Sequence, residues 1–330
     1  MKVLITGGGG FIGSHLAEGF LNRGDEVFAL DTGMHLKVKH LLSHPKFHYI
    51  KASVLDTDAL EAYVLRCDLV YRLAAVVGVE HYVDDPFNVL NVNIFGTINA
   101  LKLAHRHDKR IVYASTSEVY GRNPKVPWKE DDDRVLGSTK MDRWCYSTSK
   151  AVGEHYCWAY LRMGLKVSAV RFFNIYGPRL DKIDAGRVIT IFMGTLLRNE
   201  PLNVIGDGKQ TRCFTYVDDA VRATMAAGLE PAAIGLPINV GTDKETTILE
   251  LAQTMNRVYG RKPDEIHFIR QEQVYGESYE DIPRRVPCID RLVKILKLKM
   301  DTPLDVGIKK TIDWFRTQET TPKGVSQSAK

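Results

Sequence analysis

The chain has 330 residues, 44% of them hydrophobic and 26% charged, the balance of a soluble globular protein long enough for one large α/β unit or two domains. Its formal charge of +5 is carried by interspersed acids and bases with no single-sign block, which excludes a nucleic-acid-binding arm and suits a mildly basic cleft for an anionic small molecule. Cys67, Cys145, Cys157, Cys213 and Cys288 are scattered, odd in number and without a CxxC pair, which favours reduced thiols in a cytoplasmic protein over a disulfide framework or a metal site.

Residues 2–6 (KVLIT) form a short apolar run ending in glycines, the pattern of a buried parallel strand. The chain enters this strand at once, leaving no room for a signal peptide, and no later apolar run is long enough to span a membrane. The loop GGGGFIGSHL at 7–16 then passes into a helical pattern. Gly7, Gly10 and Gly13 let the backbone turn tightly and approach a pyrophosphate, held with Phe11 and Ile12 at the helix N-terminus. A second strand at 26–30 leads to Asp31, where a carboxylate hydrogen-bonds the adenosine ribose diol and repels a 2′-phosphate. The cofactor predicted is NAD, not NADP.

Further strands are predicted at 47–51, 69–73, 111–114 and 167–171, with helical apolar spacing at 57–66 and 86–107. This alternation predicts an α/β fold with a doubly wound parallel sheet and ligands at the carboxyl ends of its strands. Leu73, Ala74 and Ala75 close one strand and leave room for a cofactor, and Asn93 on the next helix is expected to tie elements together. At 115–121 (STSEVYG) a strand ends in three hydroxyls and the carboxylate of Glu118, where catalytic groups belong. The segment YSTSK at 146–150 sets Tyr146 and Lys150 one helical turn apart. A phenol with a reference pKa near ~10 is a poor base at neutral pH. A fixed ammonium beside it favours phenolate, so the pair can take a proton from a substrate hydroxyl and return it. From about residue 174 the alternation becomes irregular, with helices expected at 188–198, 246–259 and 290–316 and a disordered polar tail at 317–330.

Together the glycine loop, STSEVYG, YSTSK and RFFNIYGPR (171–179), in this order, resemble the extended short-chain dehydrogenase/reductases, specifically the nucleotide-sugar epimerase, dehydratase and decarboxylase group. The resemblance spans roughly residues 1–316. It implies a Rossmann-type NAD-binding domain over 1–173 and a smaller C-terminal lobe over 174–316, mainly for the nucleotide sugar, with parts returning to the core. It implies that Thr116 binds the reacting sugar hydroxyl, that Tyr146 is the acid/base, and that Lys150 assists it while binding the nicotinamide ribose. Ser117 and Asn174 are expected on the nucleotide sugar. The stretch GDGKQTRCF (206–214) resembles the segment that wraps the diphosphate, with Arg212 as its phosphate ligand. The helices around 88–105 and 146–163 carry apolar residues beyond what one sheet face needs, and the family pairs these helices in a homodimer. Two departures are Arg72, where many members have His, and Ser53, where many have an Asp near the adenine.

The stretch YGESYEDIPRRVP (275–287) resembles UDP-glucuronate decarboxylases and implies that Arg285 lies at the reacting sugar, both binding and catalytic. Simple 4-epimerases of the group commonly lack a carboxylate at the position of Glu118, and 4,6-dehydratases usually add an Asp where this chain has Ser117. The implied activity is NAD-dependent decarboxylation of UDP-glucuronate. C4 is oxidised and C6 is lost as CO₂, giving UDP-xylose or the 4-keto pentose. A nucleotide-sugar 4-epimerase or 4,6-dehydratase is the alternative enzyme, and a catalytically silent NAD-binding scaffold is the alternative of another class.

Overall fold

Six strands alternate with helices in the first half of the chain. They are β1 (Lys2–Thr6), β2 (Glu26–Asp31), β3 (Phe47–Lys51), β4 (Leu69–Arg72), β5 (Arg110–Thr116) and β6 (Val167–Phe172). The helices among them are α1 (Phe11–Asn22), α2 (Thr57–Val64), α3 (Val79–Asp84), α4 (Pro86–Arg106) and α5 (Arg143–Arg162). The computed structural model describes residues 1–33, 36–270, 282 and 284–320. After β6 come β7 (Ile175–Tyr176), α6 (Val188–Leu197), β8 (Leu202–Ile205), β9 (Thr211–Arg212), β10 (Thr215–Tyr216) and α7 (Val217–Leu229). Then come β11 (Pro237–Val240), β12 (Thr246–Thr247), α8 (Ile248–Tyr259), β13 (Ile266–Ile269), β14 (Arg284–Arg285) and α9 (Leu304–Thr320).

The central sheet is parallel throughout, in the order β11-β6-β5-β4-β1-β2-β3. Strand order reverses between β1 and β4, which opens a crevice at their carboxyl ends. The strands are buried on both faces, so their sequences read as continuous apolar runs. Leu16 and Phe20 of α1 pack with Val217 and Ala220 of α7 over one face. Leu60 of α2, Leu101 of α4 and Cys157 of α5 cover the other. The sheet is therefore a rigid platform, and the irregular lobe hangs over the edge where the strands end.

Two expectations near the C-terminus are corrected. Residues 290–316 do not form one helix: a π-helical turn at Leu292–Leu296 ends at Lys297 in the left-handed region (φ 55), and α9 begins only after Pro303. A proline disfavours helical geometry in the residue before it, which breaks the run at Thr302. Residues 317–320, expected in the tail, continue α9, where the Thr317 hydroxyl donates to the Trp314 carbonyl (2.7 Å). The remainder of the expected tail, 321–330, lies outside the described residues. Among the described residues no helix is long and apolar enough to cross a membrane, and no group of His, Cys, Asp or Glu is placed to hold a metal.

Candidate active site

The carboxyl ends of β1, β4 and β5, the N-terminus of α1, and β9 and β14 of the lobe surround one cleft of about 1730 Å³. Every predicted site residue lines it. Gly7, Gly10, Phe11, Ile12, Gly13, Asp31, Leu73, Ala74 and Ala75 form one arm. Thr116, Ser117, Glu118, Tyr146, Lys150, Asn174, Arg212 and Arg285 line the other.

The first arm fits a dinucleotide. Gly7 has φ +73, and a Cβ there would stand 2.6 Å from the Ala74 amide nitrogen; one at Gly13 would stand 2.1 Å from the Gly7 carbonyl oxygen. Only glycines let the loop lie this flat against the strand end. No side chain caps α1, so its first-turn amides are left for an anion in the cleft. Asp31 is held by the Gly9 amide (3.0 Å) and the Gly33 amide (2.9 Å), one on each carboxylate oxygen, and each oxygen retains accepting capacity for a ribose hydroxyl. Ser53 lines the same arm and its hydroxyl accepts from the Leu55 amide (3.1 Å).

In the second arm, α5 presents Tyr146 and Lys150 to the end of β5. The helix is pinned there by Ser147, whose hydroxyl donates to the Glu118 carbonyl (2.6 Å), and by Asn93 of α4, which donates to the Ser149 hydroxyl (3.2 Å). Asn93 also accepts from the Val76 amide (3.0 Å), so it ties two helices and the loop after β4 together, as expected. Burial pushes the Tyr146 phenol up, and the charge of Glu118 adds to that, while a hydrogen bond from Thr116 opposes it. Lys150 is pushed down to about 7 by burial and then by the Arg72 guanidinium. Its ammonium donates to the Ala114 carbonyl (2.8 Å) and stands 5.9 Å from the centre of the Tyr146 ring. The Lys150 nitrogen is directed at the strand end, and burial is the larger influence on the phenol.

Glu118 sits between two arginines, ion-paired to Arg285 and 3.7 Å from Arg143. Burial alone would raise its carboxyl, but Arg285, Arg143 and Arg212 together hold it below the usual carboxylate range. Its carboxyl is therefore ionised at neutral pH in this arrangement and pairs with the flanking arginines. Arg285 lies beside Arg212 because β14 and β9 pair in parallel with these two residues in register. Residues 275–281 and Pro283, part of the stretch that directed attention to Arg285, lie outside the described residues. Asn174 has φ 39 and donates to the Cys213 carbonyl (3.4 Å), which ties the end of β6 to the diphosphate-type segment.

Sequence reasoning missed three side chains of the cleft. Tyr82 of α3 stacks on Tyr146, ring centres 5.0 Å apart and planes 13° from parallel. Arg187 stands 5.9 Å over the Phe11 ring at the N-terminus of α1 and pairs with Asp181 at 3.2 Å. Lys37 donates to the Leu180 carbonyl (2.9 Å). Arg187, directly before the helix expected at 188–198, was a readable hint; nothing in local periodicity marks Tyr82 or Lys37.

The family model of the NAD dependent epimerase/dehydratase family matches residues 3–241. The UDP-N-acetyl-alpha-D-glucosaminuronate decarboxylase of Bacillus cytotoxicus is 40% identical over 96% of this chain and 98% of its own length. The UDP-glucuronic acid decarboxylase 1 of Xenopus tropicalis is 35% identical over 96% of this chain and 72% of its own. Among solved structures, the UDP-glucuronic acid 4-epimerase of Bacillus cereus, in complex with UDP-glucuronic acid and NAD, has a TM-score of 0.83 at 27% identity, covering 96% of this chain and all (100%) of that one.

Proposed function

The chain belongs to the NAD dependent epimerase/dehydratase family, and from that membership we propose that it is an NAD-dependent decarboxylase of a UDP-hexuronate, UDP-glucuronate in the first place. The observation that carries the reading is the Arg285–Glu118–Arg143 cluster in the same arm of the cleft as Thr116, Tyr146 and Lys150. A sugar whose C4 hydroxyl meets Tyr146 needs cations for its C6 carboxylate, and this cluster supplies them. The higher identity of the Bacillus cytotoxicus relative favours UDP-N-acetylglucosaminuronate as a second substrate to be tried.

The chain's own residues divide the work. Gly7, Gly10, Gly13 and the first turn of α1 receive the pyrophosphate of NAD, Asp31 its adenosine ribose, and Lys150 its nicotinamide ribose. Bound NAD supplies reversible hydride acceptance at the sugar C4. Tyr146, in its phenolate form, takes the C4 hydroxyl proton, and Thr116 holds that oxygen in line through a hydrogen bond. With C4 a ketone, the C5–C6 bond breaks, CO₂ leaves, and the electron pair passes into an enolate on the C4 oxygen, with C5 then taking a proton. Arg285 stabilises the charge as it develops, a preorganised cation held in place by Glu118. Ser117, Asn174 and Arg212 bind the nucleotide sugar, Arg212 at the diphosphate.

Incubation with NAD⁺ and each of a panel of UDP-, dTDP- and GDP-sugars, with products read by mass spectrometry, tests the reading. Loss of CO₂ from a UDP-hexuronate supports it. Unchanged mass with an inverted C4 would make the protein a 4-epimerase, loss of water a dehydratase, and NAD binding without turnover on any sugar a silent scaffold.

A further inference from the structure

We propose that Asn239, on the outer strand β11, is a positioning residue that sets where Arg285 stands relative to Tyr146 and Lys150 and so governs cleavage of the C5–C6 bond. The inference rests on the decarboxylase reading above. Asn239 is fully buried, and its side chain is fully engaged. Its Oδ1 accepts from the Tyr120 hydroxyl (2.7 Å), and its Nδ2 donates to the carbonyls of Trp128 (2.9 Å) and Cys288 (3.1 Å). Two carbonyls on one end and a hydroxyl on the other leave the amide a single orientation. Its backbone N–H donates to Glu130 Oε1 (3.0 Å), which fixes the same loop a second time.

From Asn239 two hydrogen-bonded paths run in opposite directions. Toward the lobe, the Trp128 amide donates to the Val286 carbonyl and the Cys288 amide to the Trp128 carbonyl, both at 2.8 Å. Asn239 thus bonds both segments at once, at Trp128 and at Cys288, three residues past Arg285. Toward the sheet, the Tyr120 hydroxyl accepts from Arg171 (2.8 Å), and Arg171 makes a two-pronged pair with Glu154 (2.9 and 2.6 Å). Glu154 lies one turn past Lys150 on α5 and accepts from the Ser115 hydroxyl (2.5 Å) beside Thr116. The Tyr146–Lys150 helix and the Arg285 strand are therefore joined through buried polar groups that have no water to turn to. Removing the central amide leaves several of them unsatisfied and frees the strand to shift. A displacement of about 1 Å at a charge stabiliser is enough to cost on the order of 10²-fold in rate.

The prediction is a split between two steps. In single turnovers with NAD⁺ and either UDP-glucuronate or UDP-N-acetylglucosaminuronate, Asn239→Ala should form NADH within about 3-fold of the wild-type rate and release CO₂ at least about 10-fold more slowly, so that the 4-keto hexuronate accumulates. A merely structural role would lower the melting temperature and slow both steps together, and that result would overturn the inference, as would wild-type partitioning in the variant. Should Asn239→Ala fail to fold, Tyr120→Phe keeps the ring that stacks on Trp128 (5.0 Å) and removes only the hydroxyl; it should shift the partition in the same direction. Wild type that releases no CO₂ from either sugar overturns the decarboxylase reading itself, and the inference with it. Wild type that decarboxylates beside an unaltered Asn239→Ala overturns the inference alone.

Discussion

Lys150 gives up the hydration a lysine keeps in water, and burial with the nearby Arg72 pushes its pKa down to about 7. The folded protein then binds fewer protons than the unfolded chain between about pH 7 and about pH 10.4, so this group costs stability fully below that window and less as pH rises through it. Lys150→Met should accordingly raise the melting temperature most at pH 6, with the gain shrinking toward pH 10, while abolishing turnover; an unchanged melting temperature at pH 6 would contradict the burial penalty. Arg72 contributes because its guanidinium is itself buried, donating only to the Gly96 and Val92 carbonyls (both 3.1 Å) and paired with no carboxylate among the described residues. Tyr146 and Arg285 should fail in different ways. Tyr146→Phe keeps the ring stacked on Tyr82 but removes the proton acceptor, so no NADH absorbance should appear with UDP-glucuronate. Arg285→Ala should slow CO₂ release by on the order of 10²-fold while some oxidation survives, the scale of a lost charge stabiliser. If both variants lost only affinity, Arg285 would be an anion anchor and nothing more.

At the scale of elements, the turn from β1 into α1 makes the sharpest demand on sequence. A Cβ at Gly13 would stand 2.1 Å from a backbone oxygen that has nowhere to go, so Gly13→Ala should weaken NADH binding by about 10-fold or more in a fluorescence titration and cost on the order of 1–3 kcal/mol of stability. Asp31→Ala should narrow the preference for NADH over NADPH, and equal affinity of the unaltered protein for both would contradict the assigned role of Asp31. These features were legible because their causes are local: glycine spacing, a carboxylate at a strand end, a phenol and an amine one helical turn apart. The Arg285–Glu118 pair was legible only through resemblance, since its partners are brought together by the pairing of two-residue strands far apart in the chain. Tyr82, Lys37 and Asn239 carried no local mark at all, because what makes them matter is a contact with an element the sequence does not place beside them. The break before α9 is itself readable from Pro303.

At the scale of the molecule, α4 and α5 pack on one another and expose apolar side chains that none of the described residues covers. Phe95 and Phe87 of α4 are 56% and 77% exposed, and Tyr156 of α5 is also open to solvent. We propose that this face is a homodimer interface formed as a four-helix bundle. Light scattering at micromolar concentration should give twice the chain mass, and Phe95→Asp should shift it toward the monomer; a monomeric unaltered protein would remove the proposal. Assembly would also brace the helix that carries Tyr146 and Lys150, so the variant should lose turnover at low concentration. On the proposed reading, one cleft both oxidises C4 and expels C6. The most direct test is UDP-glucuronate carrying ¹³C at C6, incubated with the protein and NAD⁺ and followed by mass spectrometry of gas and nucleotide together. Labelled CO₂ should appear in step with a UDP-pentose or its 4-keto form, and neither should appear with Tyr146→Phe. UDP-galacturonate with the label intact would contradict the account.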